Sequence, residues 1–255
     1  MPTNIHPPQI LNEQARVGVI LLCDHASNHI PAGYENLGLD AEYLDEHIAW
    51  DIGMAEITRR IAKMMKVPAV LAPVSRLVID CNRGPDDPTL VPRVSDGINI
   101  PVNNDMGAAQ IAARRKTYWE PFHQAADAIV KAHLDDGIVP LVIGMHSFTP
   151  SMDGEDRPWG ISFLWNKDPR LAQAMIGWME RETDLVVGDN VPYSGRELYY
   201  TMQTHGADHG CPQTTLEVRQ DLVLGKGMLD QWAALIADAI DECLERPELR
   251  EIKHY

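Results

Sequence analysis

The chain has 255 residues, 45% of them apolar, and a formal net charge of −15 from 37 acidic against 22 basic residues. That length and apolar content suit one α/β domain spanning 1–255 with a substantial core. The acidity argues against a nucleic-acid surface, which needs clustered Lys and Arg. No apolar stretch approaches the ~20 residues needed to cross a membrane.

Residues 1–14 read as a polar N-terminal arm with three prolines and no signal-peptide apolar core. Val17–Cys23 is a continuous apolar run, the signature of a strand covered on both faces. Asp40–Lys66 reads as one long helix, with Asp40 as N-cap and Leu44, Ile48, Ile52 and Ala55 at helical spacing. Ala69–Val74 and Leu77–Asp80 are expected strands. Cys81–Asp105 carries four prolines and little periodicity, and an irregular connection of that length is usually functional or disordered. Helix is expected over Ala108–Leu134, strand over Val139–Gly144, a polar loop over Ser151–Pro158 and strand over Ile161–Trp165. Helix follows at Pro169–Arg181 and a short strand at Leu185–Val187. A second irregular stretch runs over Asp189–Gly210, then strand over Thr214–Val218 and a closing amphipathic helix over Lys226–Arg246. This alternation predicts an α/β three-layer sandwich around a mainly parallel or mixed sheet.

The four cysteines form no C-x-x-C pair, so a zinc ribbon or thioredoxin motif is unsupported and a reducing, cytoplasmic setting fits. The nucleophile elbow G-x-S-x-G, the P-loop and the G-x-G-x-x-G pattern are absent.

Chemistry gathers at strand ends. His25, in Asp24-His25-Ala26-Ser27-Asn28, closes the first strand. Neutral imidazole is a good zinc ligand, and Asp24 is placed to orient it; the plainer reading is a turn cap. His146 follows another apolar strand and is a second candidate ligand or a core histidine. His47 and Asp51, four apart on the expected helix, share a face and either point at a metal or form a surface pair. His29, His205 and His209 lie in polar loops and are lesser candidates. Glu217 interrupts an expected interior strand, where a carboxylate is costly unless paired or functional; it either pairs with Arg219 at an edge or acts as general base. Arg76, Asn82 and Arg83 suit a substrate carboxylate. Tyr193, in a shaped turn, suits a substrate or oxyanion contact.

Six segments in order carry a resemblance: Cys23–Asn28, His47–Gly53, Arg76–Arg83, Met145–Phe148, Asn190–Gly195 and Leu216–Arg219. Together they resemble the N-formylglutamate amidohydrolase family, in its branch of predicted amidohydrolases. The resemblance implies a fold similar to zinc carboxypeptidases. It also implies a zinc-dependent amidohydrolase that cleaves the linear amide of a small anionic N-acyl amino acid, N-formyl-L-glutamate being one such substrate. In carboxypeptidase-like sites a His is followed three residues later by Glu; here that place holds Asn28, a poor ligand. The resemblance therefore implies one zinc, or another divalent metal, on His25, His146 and His47, with Asp51 as alternative third ligand. Glu217 matches the strand-borne catalytic glutamate, and Asn82-Arg83 an Asn-Arg pair that binds substrate carboxylate. The familiar members carry Pro-His-Ser-Gly where this chain has Asp-His-Ala-Ser. That difference opens two alternatives: a deacylase or carboxypeptidase for another acyl amino acid or short peptide, or a non-catalytic metal or small-ligand binder on the same scaffold. The oligomeric state has no signal in the sequence.

Overall fold

The computed structural model describes residues 6–255; the first five residues of the expected N-terminal arm lie outside them. Within that arm, β1 (Gln9–Leu11) adds an edge strand. β2 (Val19–Cys23) follows, then α1 (Met54–Met65) and β3 (Ala69–Leu71). The irregular stretch holds a small hairpin, β4 (Val94–Ser95) and β5 (Ile98–Asn99), and one helical turn, α2 (Pro101–Asn104). α3 (Ala108–Arg114) runs through a π-turn, Arg115–Trp119, into α4 (Glu120–Asp135). Pro121 has no N–H to give to the preceding turn, which accounts for the wider winding there. β6 (Leu141–Phe148), a second small hairpin of β7 (Ser151–Met152) and β8 (Glu155–Asp156), β9 (Ile161–Leu164) and α5 (Arg170–Glu182) come next. β10 (Val187–Asp189), α6 (Tyr200–His205), β11 (Gln213–Arg219) and α7 (Met228–Leu244) complete the chain.

Seven strands form one mixed sheet in the order β1-β3-β2-β6-β11-β9-β10. Its centre, β3-β2-β6-β11, is parallel; β1 and β9 join it antiparallel. Alternation splits each central strand between two cores. Val19, Leu21 and Cys23 of β2, with Leu141, Ile143 and Met145 of β6, pack against α1, α5 and α7. Ile20, Leu22 and Val142 face α4 and α6. The result is an α/β fold with helices on both faces of a mixed sheet. A third core, outside the sheet, gathers Ile48, Leu77, Val78, Ile79, Leu90 and Tyr118. No helix among the described residues is long and apolar enough to cross a membrane.

Two expected elements are corrected. Of the helix expected over Asp40–Lys66, only a 3-10 turn at Ala41–Leu44 and α1 from Met54 are present. Between them the backbone bonds elsewhere: Asp51 N–H donates to His25 O at 3.0 Å, and Ala49 O accepts from Ser75 Oγ at 2.7 Å and from Arg76 N at 3.3 Å. Gly53 then turns left-handed, with φ +85°, and a helix cannot pass through it. The strand expected at Leu77–Asp80 is a turn that begins with Val78 N–H donating to Ser75 O. Its apolar run is buried in the third core rather than in the sheet.

Candidate metal centre

Parallel strands β2, β6 and β11 end side by side, and the C-terminal edge of such strands is where open α/β sheets present ligand sites. Asp24 and His25 follow β2 directly. His146 lies on β6, paired in register with Glu217 on β11. Since Met145, Leu216 and Val218 face the α1 side, His146 and Glu217 both face the other. Asp51 reaches the same point from the linkage that holds its N–H to His25 O.

The contacts are tight and all side chains in this cluster are buried. His25 Nε2 lies 2.8 Å from Asp80 Oδ1. A carboxylate only accepts, so Nε2 carries the proton and a neutral His25 turns a bare Nδ1 inward. That Nδ1 has no hydrogen-bond partner and lies 3.4 Å from Asp51 Oδ2. His146 is flanked twice, with Nε2 at 2.9 Å from Asp24 Oδ1 and Nδ1 at 2.9 Å from Asp51 Oδ2. A neutral imidazole has one N–H, so the two close approaches are both satisfied only when His146 is an imidazolium or when a cation takes the place of one proton. Asp24, His25 and His146 can place one donor atom each within 4.8 Å of one another. Asp24 Oδ2 accepts from Thr201 Oγ1 at 2.6 Å.

The electrostatics agree. Four buried or nearly buried carboxyls, Asp24, Asp51, Asp80 and Glu217, face one guanidinium, Arg76, whose Nη2 is 2.9 Å from Asp80 Oδ2. Burial disfavours a charged His146, yet Asp24 and Asp51 outweigh it and hold its pKa well above the ordinary value. The site thus favours added positive charge, and His/Asp donors with bare lone pairs suit a divalent cation. Glu217 is different. Burial, with Asp51 adding to it, pushes its pKa up to about 7, and its Oε2 has no partner.

A cavity of about 230 Å³ opens onto this cluster. His25, Asp51, His146 and Glu217 line it, as do Arg76, Asn82, Arg83 and Tyr193. Asn82 Oδ1 accepts from Thr201 N at 3.1 Å. Arg83 Nε and Nη1 donate to neutral oxygens, Thr89 Oγ1 and Asn82 O, both at 3.1 Å. Tyr193 OH accepts from Arg157 Nη1 at 3.1 Å, so its own proton is available to the cavity. Arg157 escaped the sequence reading; it sits in a polar loop and has no motif around it. His47 is not brought to the metal cluster. It lies at the cavity rim with Nε2 3.1 Å from Asp96 Oδ2. Asn28 donates to Leu44 O at 2.9 Å. His29 stacks edge-on with His6, His205 bonds His123 at 2.8 Å, and His209 faces Asp127. Arg219, the expected edge partner of Glu217, bonds Asp221 instead, at 2.8 Å.

Residues 17–224 match the family model described as N-formylglutamate amidohydrolase. The chain belongs to the N-formylglutamate amidohydrolase family. Membership and the buried Asp/His/His cluster together make it a metal-dependent amidohydrolase acting on the amide of an N-acyl amino acid. Within the fold of this family, two solved structures are similar over nearly their whole lengths. One is a gene product of Agrobacterium tumefaciens, 33% identical, with a TM-score of 0.89 over 93% of this chain and 94% of that one. The other is the N-formylglutamate amidohydrolase of Ralstonia eutropha, 16% identical, with a TM-score of 0.70 over 94% of this chain and 97% of that one. No curated protein matches the chain in sequence.

Proposed function

We propose that the chain, as one catalytic domain over 1–255, is a zinc-dependent hydrolase of N-acyl amino acids in which His25 Nδ1, His146 Nδ1 and Asp51 Oδ2 hold the metal. The observation that carries this reading is that Asp51 Oδ2 lies 3.4 Å from His25 Nδ1 and 2.9 Å from His146 Nδ1, with all three residues lining the cavity. Asp24 is the competing third donor. Its side chain is fully buried and does not line the cavity, which favours a role behind His146. Each histidine then has a carboxylate on its outer nitrogen, Asp80 for His25 and Asp24 for His146, a pattern that fixes ring orientation and raises ligand basicity.

A divalent cation there would supply Lewis acidity to the scissile carbonyl and acidity to a water. The protein's own groups do the rest. Glu217 takes the proton of the attacking water and passes it to the departing amine; a pKa near neutrality suits both transfers. Tyr193 donates its hydroxyl proton to the developing oxyanion, with Arg157 holding the ring oxygen from behind. Arg83 anchors the substrate carboxylate, and Asn82 sets the loop that carries it. The two strand-end histidines and the strand-borne glutamate also support a zinc-carboxypeptidase-like reading of the fold. Four free, buried cysteines support a reducing, cytoplasmic setting.

Elemental analysis of the purified protein and of His25→Ala, His146→Ala, Asp51→Ala and Asp24→Asn tests the ligand set. One metal per chain is expected, lost in the first three variants and retained in Asp24→Asn at about 10–100-fold weaker affinity. Loss in Asp24→Asn with retention in Asp51→Ala would exchange the roles of the two aspartates. Unchanged metal in His25→Ala and His146→Ala would remove the centre.

A further inference from the structure

Four consecutive residues, Cys81 to Gly84, form the turn that presents Asn82 and Arg83 to the cavity, and each is gripped from α4, α6 or the π-turn before α4. Cys81 O accepts from His123 Nε2 at 2.9 Å. Asn82 Oδ1 accepts from Thr201 N–H at 3.1 Å. Arg83 O accepts from Trp119 Nε1 at 2.9 Å. Gly84 lies against the Tyr200 ring, where an added Cβ would come within 3.3 Å of Cε2. Trp119, His123 and Tyr200 form one aromatic group, with ring centroids 4.1, 5.4 and 5.9 Å apart. None of the three lines the cavity.

The π-turn Arg115–Trp119 shapes this grip. Arg114, just before it, donates from Nη1 to Val78 O at 2.8 Å, while Trp119 at its end serves Arg83 O. Side chains five apart point about 140° away from each other on a regular α-helix. The wider winding of a π-turn closes that angle, so both reach residues 78–83. His123, four residues after Trp119, continues the same side. Such turns recur at functional sites.

The contacts of the Arg83 side chain do not supply this hold. Its guanidinium bonds Thr89 Oγ1 and Asn82 O, which belong to the same irregular stretch and move with it. Asn82 N–H donates to Asp80 Oδ1 at 2.8 Å, the oxygen that meets His25, so residue 82 is tied to the metal cluster. At residue 83 the tie is Trp119.

We propose that Trp119 is a positioning residue for substrate binding: its bond to Arg83 O sets where the Arg83 guanidinium meets the substrate carboxylate. The inference rests on Arg83 as the anchor proposed above.

Calorimetric binding of N-formyl-L-alanine and N-formyl-L-glutamate to the metal-loaded Glu217→Gln protein reads this role without turnover. Trp119→Phe keeps an aromatic ring and removes the donor. It should weaken both ligands by about threefold to tenfold, the range of one hydrogen bond, with metal content unchanged. In the Arg83→Ala background the same change should cost less than about twofold, since the bond acts only through Arg83. With Glu217 intact, Trp119→Phe should raise KM by that same factor and leave kcat within about twofold. Tyr200→Leu withdraws the ring from Gly84 and should show the same pattern; it carries the test if Trp119→Phe does not fold. Unchanged binding in the variant, with Arg83→Ala weakened, overturns the inference alone. So does an equal loss with and without Arg83, which would mark a general loosening of the fold. If Arg83→Ala binds both ligands normally, or the parent binds neither, the anchor itself falls and the inference with it.

Discussion

Glu217 and Arg83 sit on one cavity but are expected to fail differently. Glu217 is buried on a central strand with an unpartnered oxygen. Glu217→Gln keeps the shape and removes the proposed base, so kcat should fall by about 10²–10⁴-fold with metal content unchanged. Near-normal turnover would exclude Glu217 as the proton carrier. Arg83 lies on a loop with its charge free. Arg83→Ala should raise KM by about tenfold to a hundredfold, equivalent to losing a charged hydrogen bond of about 1.5–3 kcal/mol, with kcat far less affected. Steady-state kinetics on both variants reads this split. At this scale His25, His146 and Glu217 were conspicuous because a polar residue closing or interrupting a fully apolar strand stands out; Asp51 was read only as the alternative to His47 on an expected helix face. The outer carboxylates were harder: Asp24 was visible only by adjacency to His25, and Asp80 was hidden in what looked like a strand. Arg157 donates to Tyr193 OH from a distant loop, a relation no local pattern encodes.

Among the elements, the strands were readable and the segments that aim the site were not. β2, β6 and β11 are buried on both faces, and continuous apolar runs announce that directly. Residues 40–53 have helical spacing but are spent on bonds to His25, Ser75 and Arg76, none of which is local in sequence. Burial of Leu77–Ile79 in a core outside the sheet gave an apolar run the look of a strand. Gly53 ends the irregular segment two residues after Asp51. A Cβ added there would lie 2.7 Å from Val223 Cγ2, in a backbone conformation with φ +85°. Gly53→Ala should therefore destabilise the fold by about 1–3 kcal/mol and weaken metal binding by displacing Asp51. Urea denaturation and metal titration of the variant measure both; stability within error of the unsubstituted protein would show that the junction yields easily.

Across the whole molecule, a second buried histidine pair lies behind the metal cluster and gives the fold a defined acid limit. His123 Nε2 donates to Cys81 O at 2.9 Å, and its Nδ1 lies 2.8 Å from His205 Nε2. Burial lowers the pKa of His123 to about 3 and of His205 to about 4. An unfolded imidazole titrates near about 6.5. Between these values the unfolded chain binds protons that the folded one refuses, so stability rises with pH in this window. The contribution is complete above pH about 6.5 and is lost as pH falls toward 4 and then 3. His205→Gln should lose less of its urea midpoint between pH 7.5 and 5 than the unsubstituted protein does. Equal losses would mean that other groups set the acid limit.

The third core has a consequence for how such a molecule can change. Arg83 and the hairpin bearing Asp96 lie on the 72–107 excursion, whose apolar residues pack around Leu77, Leu90 and Tyr118 rather than between the sheet's helices. His25 and His146, two of the three proposed metal donors, are by contrast set by the sheet itself. Selection acting on residues 94–99 can therefore explore new substrates while the reactive centre stays in place. A gene library restricted to that hairpin is the economical starting point for redirecting the enzyme.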